Sequence, residues 1–174
     1  MRLRFPDGWV DFDLNLFTDV ASLVDARLDE IEEMAEVNPG LADGLDYPLR
    51  HEHLLGLGFV AAQSYLSMVM AEDEASARMA LSVGPRHTSG TALAQLIQHG
   101  ANYWKHADEW DWQRADPRRD LIVNAFEAVG IAEDEMSLYG LLCQITGSAR
   151  PRLRDLSPIL EQWHDALDDG GARH

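Results

Sequence analysis

The sequence predicts an all-α fold: one domain over 1–174, built as an irregular bundle of five to seven helices around a buried apolar central helix. Three observations carry that prediction. Apolar residues recur at helical spacing through most of the chain, Leu54 to Ala71 is an almost unbroken apolar run, and no segment alternates at period two for long enough to make a convincing strand. The first dozen residues are the one place for a short strand. Residues 1–10 and 168–174 are expected to be peripheral or frayed.

Asp11 to Val37 reads as the first helix, with Leu16, Val20, Leu23, Val24, Ile31 and Met34 on an apolar stripe and Asp25, Asp29, Glu30, Glu32, Glu33 and Glu36 largely off it. The acidic run is expected to be a solvated face, with a docking surface for a basic partner as the competing reading. Asn38-Pro39-Gly40 stops this helix. Pro48 then starts the apolar helix, whose first turn carries Arg50, His51 and His53. Two outcomes are open at Glu72-Asp73-Glu74: a break, or a polar patch on a helix that continues toward Ser82.

The segment GPRHTSG, Gly84 to Gly90, is a firm break, and Ser89 or Thr91 is placed to cap the helix that follows. That helix should end between Trp110 and Ala115, because Asp116-Pro117 reads as a cap and a first-turn proline. Leu121, Ile122, Ala125, Phe126 and Val129 form the next stripe, closed by Gly130. Another helix spans Glu133 to Ile145 and ends at Gly147. Arg150, Arg152 and Arg154 read as a polar connector, after which Ser157-Pro158 opens the last helix with Ile159, Leu160, Trp163 and Leu167.

Thirty acidic residues against fourteen basic ones give a formal net charge of −16. Such a surface repels polyanions at long range, so nucleic acid is disfavoured except at a local pocket. The single cysteine, Cys143, excludes an intrachain disulfide and a multi-cysteine zinc site, and fits a reducing cytoplasm. The N-terminus has two arginines but no apolar core or small-residue cleavage site, unlike a secretory signal. Leu54 to Ala71 approaches the length of a membrane span, yet Gln63, Ser64 and Ser67 interrupt it. A cytoplasmic protein without membrane association is expected.

Chemistry-bearing residues concentrate in Gln95 to Trp112, which holds two histidines, three of the five tryptophans and Lys105, the only lysine. On a helix, Leu93, Leu96, Gly100, Tyr103, Trp104 and Ala107 fall on one face, and Gln95, His99, Asn102, His106 and Glu109 on the other. A plain solvated face competes with an interface or site here. Amides and imidazoles, which both donate and accept, favour the second reading. His99 and His106 are about 10 Å apart along the axis, too far to share an ion, and no HExxH motif is present, so no metal or cofactor is expected. Arg86 and His87 form a second candidate, an anion-binding loop at a helix start. It is about 25 Å from His106 and belongs to a different site. If the apolar helix and the Gln95 helix pack antiparallel, Arg50, His51 and His53 approach His106 and Glu109, with Gly56 and Gly58 permitting close contact.

The segment Ala101-Asn102-Tyr103-Trp104-Lys105-His106 resembles the RNxxxH signature of HEPN domains, small all-helical units that are often dimeric. In many of them an arginine, a neighbouring polar residue and a histidine form a metal-independent ribonuclease site at the dimer interface. The resemblance implies that Asn102 and His106 are the polar and general acid/base positions, with Lys105 beside them. The signature arginine corresponds to Ala101. Either Lys105 or Arg50 supplies the missing charge, or the chain is an inactive relative used for binding.

Together these readings predict a helical interaction module that binds a protein partner or itself through the polar face around His106, with an antitoxin or immunity role among the options. Catalytic candidates are His106, Asn102, Lys105 and Arg50, and binding candidates are Glu109, His53, Arg86 and His87. A metal-independent ribonuclease is the alternative, and a metal-dependent hydrolase the third.

Overall fold

The computed structural model describes residues 2–5, 8–37, 47–70, 74–132 and 137–171. An antiparallel hairpin, β1 (Arg2–Phe5) and β2 (Gly8–Asp11), precedes α1 (Phe12–Val37), α2 (Tyr47–Val69), α3 (Glu74–Leu81), α4 (Leu93–His106), α5 (Pro117–Glu127), α6 (Leu138–Thr146) and α7 (Ser157–Gly171). Short 3-10 turns at Ala107–Glu109 and Leu153–Leu156 prolong α4 and introduce α7. The fold is all-α, as predicted, and the first dozen residues hold the only strand pair among the described residues. The expected stop at Asn38-Pro39-Gly40, the loop up to residue 46, residues 71–73, the helix start at Glu133 and residues 172–174 lie outside the described residues.

The apolar run is the central helix. Against α2 pack α1, α4, α6, α7 and the Leu153–Leu156 turn, around Leu55, Phe59, Ala62, Tyr65 and Leu66, none more than 1% exposed. A strip comprising Arg50, His53, Leu57, Ser64 and Met68 faces solvent. α2 ends at Val69 and α3 begins at Glu74, so the two are separate helices. No helix among the described residues is long and apolar enough to cross a membrane. A Cβ on Gly56 would lie 2.1 Å from Trp104 of α4, and one on Gly58 would lie 2.3 Å from Leu153. These two glycines let α4 and the Leu153–Leu156 turn sit directly against the backbone of α2.

The first helix keeps only part of the predicted stripe inward, Ile31 buried and Val24 packed against the core, and is rotated so that another set of residues joins them. Leu14, Phe17, Ala21, Asp25, Leu28 and Ile31 are buried, whereas Leu16, Leu23 and Met34 are 58%, 74% and 45% exposed. The cause is Asp25, a carboxylate only 1% exposed. Its Oδ1 accepts from the Leu153 amide at 2.8 Å and its Oδ2 from the Arg154 amide at 3.1 Å. Those amides open a 3-10 turn and have no partner within it, so Asp25 caps that turn from another helix. Nearby, Arg152 Nη1 and Nη2 each donate to Glu32 at 3.1 Å, and Nη2 lies 2.5 Å from Asp29. Part of the acidic run is therefore engaged with the arginine connector rather than simply solvated. That connector is itself part of the core, since Leu153 and Leu156 are fully buried.

Other helix starts follow the same chemistry. Asp11 Oδ1 accepts from the Asp13 and Leu14 amides at 3.1 Å, and Asp116 caps α5 as predicted. Ser137 caps α6 through the Gly140 amide, while Glu52 of α2 takes the Leu138 and Tyr139 amides at 2.7 and 3.2 Å. α4 departs from expectation, because its N-cap is Ala92 and no side chain caps it. The hydroxyls of Ser89 and Thr91 bond each other instead, and the Leu93 amide donates to Pro85 O at 2.9 Å. At the other end of the chain α7 stays helical to Gly171, and its Asp165 and Asp168 pair with Arg2 of β1 at 2.5 and 3.0 Å. Asp11 Oδ2, Tyr65 Oη and His164 Nδ1 lie 2.8 Å from one another and join the hairpin to α2 and α7.

Burial pushes the Asp25 carboxyl above its ordinary range despite the two amides and the nearby Arg154 and Arg152. The Arg152 fork holds Glu32 below it. For Asp25 the native state binds a proton more readily than the unfolded chain, so its contribution to stability grows as pH falls through the raised value. For Glu32 the sign is opposite: its contribution is present above the unfolded carboxyl pKa and is lost as pH falls through the depressed one. Asp25→Ala is expected to cost roughly 2–4 kcal/mol by stranding two amides. Chemical denaturation at neutral and mildly acidic pH measures both the loss and its growth on acidification.

Candidate functional site

The polar face of α4 is concave in its surroundings. α5 folds back beside it, and a cavity of about 460 Å³ lies between the two helices, with His99, Asn102 and His106 on the α4 side and Arg118, Leu121 and Ile122 on the α5 side. Glu109, Trp110 and Asp116 also line it. This size is in the range of small-molecule and side-chain pockets.

Arg119 is what holds α5 in that position. It is 9% exposed, and its Nη1 donates to the Asp111 and Arg114 carbonyls at 2.9 Å each. Nε and Nη2 engage Asp120 at 3.0 and 2.6 Å, and the guanidinium lies 5.2 Å over the Trp112 ring. The connection between α4 and α5 is thereby pinned to the first turn of α5. Trp110 packs on Tyr103, with ring centroids 5.7 Å apart, and Tyr103 packs in turn on Phe126. The tryptophans of this stretch thus divide their work, with Trp104 in the α2 contact, Trp110 at the cavity and Trp112 under Arg119.

Within the cavity the polar groups are ordered by their neighbours. Lys105 Nζ donates to Gln63 Oε1 at 2.7 Å, and Gln63 Nε2 donates to Asn102 Oδ1 at 2.9 Å. His106 Nδ1 is 3.3 Å from Glu109 Oε2. His99 buries its Nδ1 without a hydrogen-bond partner, and burial lowers the pKa of its ring, favouring neutral imidazole. Among the described residues no group of three or more His, Cys, Asp or Glu is placed to hold a metal ion.

The predicted residues separate into three places. His106, Asn102 and Glu109 share the cavity. Lys105 is exposed and reaches it only through Gln63. The start of α2 does lie beside the end of α4, as expected, since Trp104 Nε1 donates to His53 Nδ1 at 3.4 Å. That contact is on another side of α4, and neither Arg50 nor His53 lines the cavity. Arg86 and His87 form a third place. Arg86 donates to the Gly90 and Ser82 carbonyls at 2.7 and 2.5 Å, and His87 Nδ1 accepts from the Ser89 amide at 3.1 Å, so both side chains fasten their own loop. Ala101, at the position the RNxxxH signature gives to arginine, is fully buried.

Sequence reasoning overlooked Gln63 and Arg118. Gln63 had a signal: an amide inside an apolar helix needs buried partners. Arg118 had none, because a basic residue after a cap and a proline is ordinary on a surface. A second cavity, of about 480 Å³, lies between α3 and α7 over Met70, Met79, Val83 and Leu167. Its histidine, His164, is already engaged by Asp11 and Tyr65. No family model matches the chain, and neither the curated proteins nor the solved structures contain a significant match.

Arg119→Lys is expected to loosen the latch, since an ammonium cannot span two carbonyls and a carboxylate as the planar fork does. Amide exchange should accelerate across 110–116 while the amides of α2 keep their protection. Exchange measured by mass spectrometry on the intact protein checks this.

Proposed function

We propose that the protein is a helical interaction module that recognises its partner with the α4/α5 groove, not an enzyme. The observation that carries this reading is the placement of His106, Asn102 and Glu109 in a groove beside Trp110 and Leu121, a mix of convergent polar groups and apolar wall typical of recognition sites. The chain's strong negative charge favours a partner that is not a polyanion. Self-association is supported separately by the outward face of α1, where Phe12, Leu16, Leu23 and Val37 are 45%, 58%, 74% and 70% exposed.

A photoreactive residue at Leu121, on the rim of the groove, is expected to cross-link a partner or a second copy in cells. The same residue at Met79, in the second cavity, is expected not to. Capture at Met79 but not at Leu121 would remove the groove from consideration. Size in solution is measured on the wild type and on Leu23→Lys, and dimers lost in the variant place self-association on α1 instead.

The ribonuclease reading is favoured by one feature: Arg118 shares the groove with Asn102 and His106 and is a cation in the neighbourhood that Ala101 leaves uncharged. RNA incubated in chelator with the wild type and with His106→Ala is expected to remain intact in both. Cleavage by the wild type alone would reverse the assignment, whereas equal cleavage by both would indicate a contaminant.

A further inference from the structure

The groove between α4 and α5 contains a hydrogen-bond donor whose direction is fixed. An ammonium has protons to give and no lone pair, so the Gln63 atom 2.7 Å from Lys105 Nζ has to be the amide oxygen. Gln63 then turns its NH2 toward Asn102, and the atom it meets at 2.9 Å has to be the Asn102 oxygen. Both amide orientations follow from the one lysine of the chain, without the ambiguity that amide groups usually carry. With its oxygen committed to Gln63, Asn102 has its NH2 left to give. Gln63 is 9% exposed, so solvent offers it little alternative partnership.

Charges of both signs surround this donor. Asp116 spends Oδ1 on the Arg118 and Arg119 amides, so the start of α5, which would otherwise attract an anion, is already covered by a carboxylate. Glu109 is paired with His106 at 3.3 Å. Arg118 brings a cation to the same groove. His99 is buried enough to favour its neutral form. An anion would meet Glu109 and Asp116, and a cation would meet Arg118 and the NH2 of Asn102. Trp110 and Ile122 add apolar wall.

We propose that this groove binds a small, uncharged, planar molecule by its carbonyl oxygen, which accepts from Asn102 Nδ2 while the ring lies against Trp110. Lys105 and Gln63 are positioning residues that act through Asn102. The proposal rests on the groove being the recognition surface and adds the class of ligand it takes.

Benzamide, benzoate and benzamidine share one ring and differ in charge, and each is titrated into the full-length protein labelled with nitrogen-15. Benzamide is expected to shift the Asn102 side-chain NH2 and Trp110 indole resonances saturably, and to bind more tightly than either charged probe. Asn102→Asp, which replaces the donor by an acceptor, should weaken benzamide about tenfold, as expected for one lost hydrogen bond. Lys105→Gln, free to accept as well as donate, should weaken it also, and Lys105→Arg should restore it. A purely structural role for Lys105 would not follow that donor pattern, and thermal unfolding of each variant shows that the fold is kept. Tighter binding of benzoate or benzamidine in the groove would overturn the ligand class while leaving the groove as the recognition surface. Silence of the groove resonances toward all three probes would overturn the proposal, and with Leu121 cross-linking a partner it would do so without touching the broader reading. Failure of both experiments would remove the groove altogether.

Discussion

Carboxylates that accept from the backbone amides of distant helix starts are the interaction on which this fold depends. Asp25 of α1 caps the turn before α7, and Glu52 of α2 caps α6. A helix start carries several amides with no internal partner, and one buried away from water needs acceptors from elsewhere. Here the acceptors come from helices far away in sequence, so capping and tertiary packing are one event. The Leu153–Leu156 turn shows the result. It has little intrinsic stability as a single 3-10 turn, yet its leucines are fully buried because Asp25, Arg152 and Glu32 hold it against α1.

That mechanism also explains what the sequence revealed and what it concealed. The helices were legible from periodicity and punctuation, and Asp116-Pro117 and Ser157-Pro158 mark helix starts where the structure has them. The inward face of α1 was not. Reading a carboxylate as a surface group puts Asp25 on the outside and leaves Leu16 and Leu23 to face the core, which rotates the helix about its axis. The arginine connector was misread for the same reason, since its partners are acidic residues more than a hundred positions away. Long-range pairing of polar groups has no periodic signature.

The candidate site was legible to a similar degree. The α4 face with Asn102, His106 and Glu109 follows from spacing alone. That this face is concave does not, because the wall is supplied by α5, whose placement depends on Arg119 reaching back to two carbonyls of the connecting segment. His53 does stand beside α4, at Trp104, but on a different side from the cavity, which Arg50 does not line either. Helix packing places elements next to each other, and the rotation of each about its own axis decides which side chains meet.

For α1 that rotation is a choice between near equals. Apolar side chains line both of its sides, Leu14, Phe17, Ala21 and Leu28 toward the core and Phe12, Leu16, Leu23 and Met34 away from it. Half a turn about the axis would exchange one set of hydrocarbon for another, so burial alone discriminates weakly between the two arrangements. Asp25 breaks the tie, because only one of them brings a carboxylate to the amides of Leu153 and Arg154. A residue that costs free energy to bury thus determines which single structure the chain adopts, and hydrophobic packing then stabilises whichever face that residue has selected.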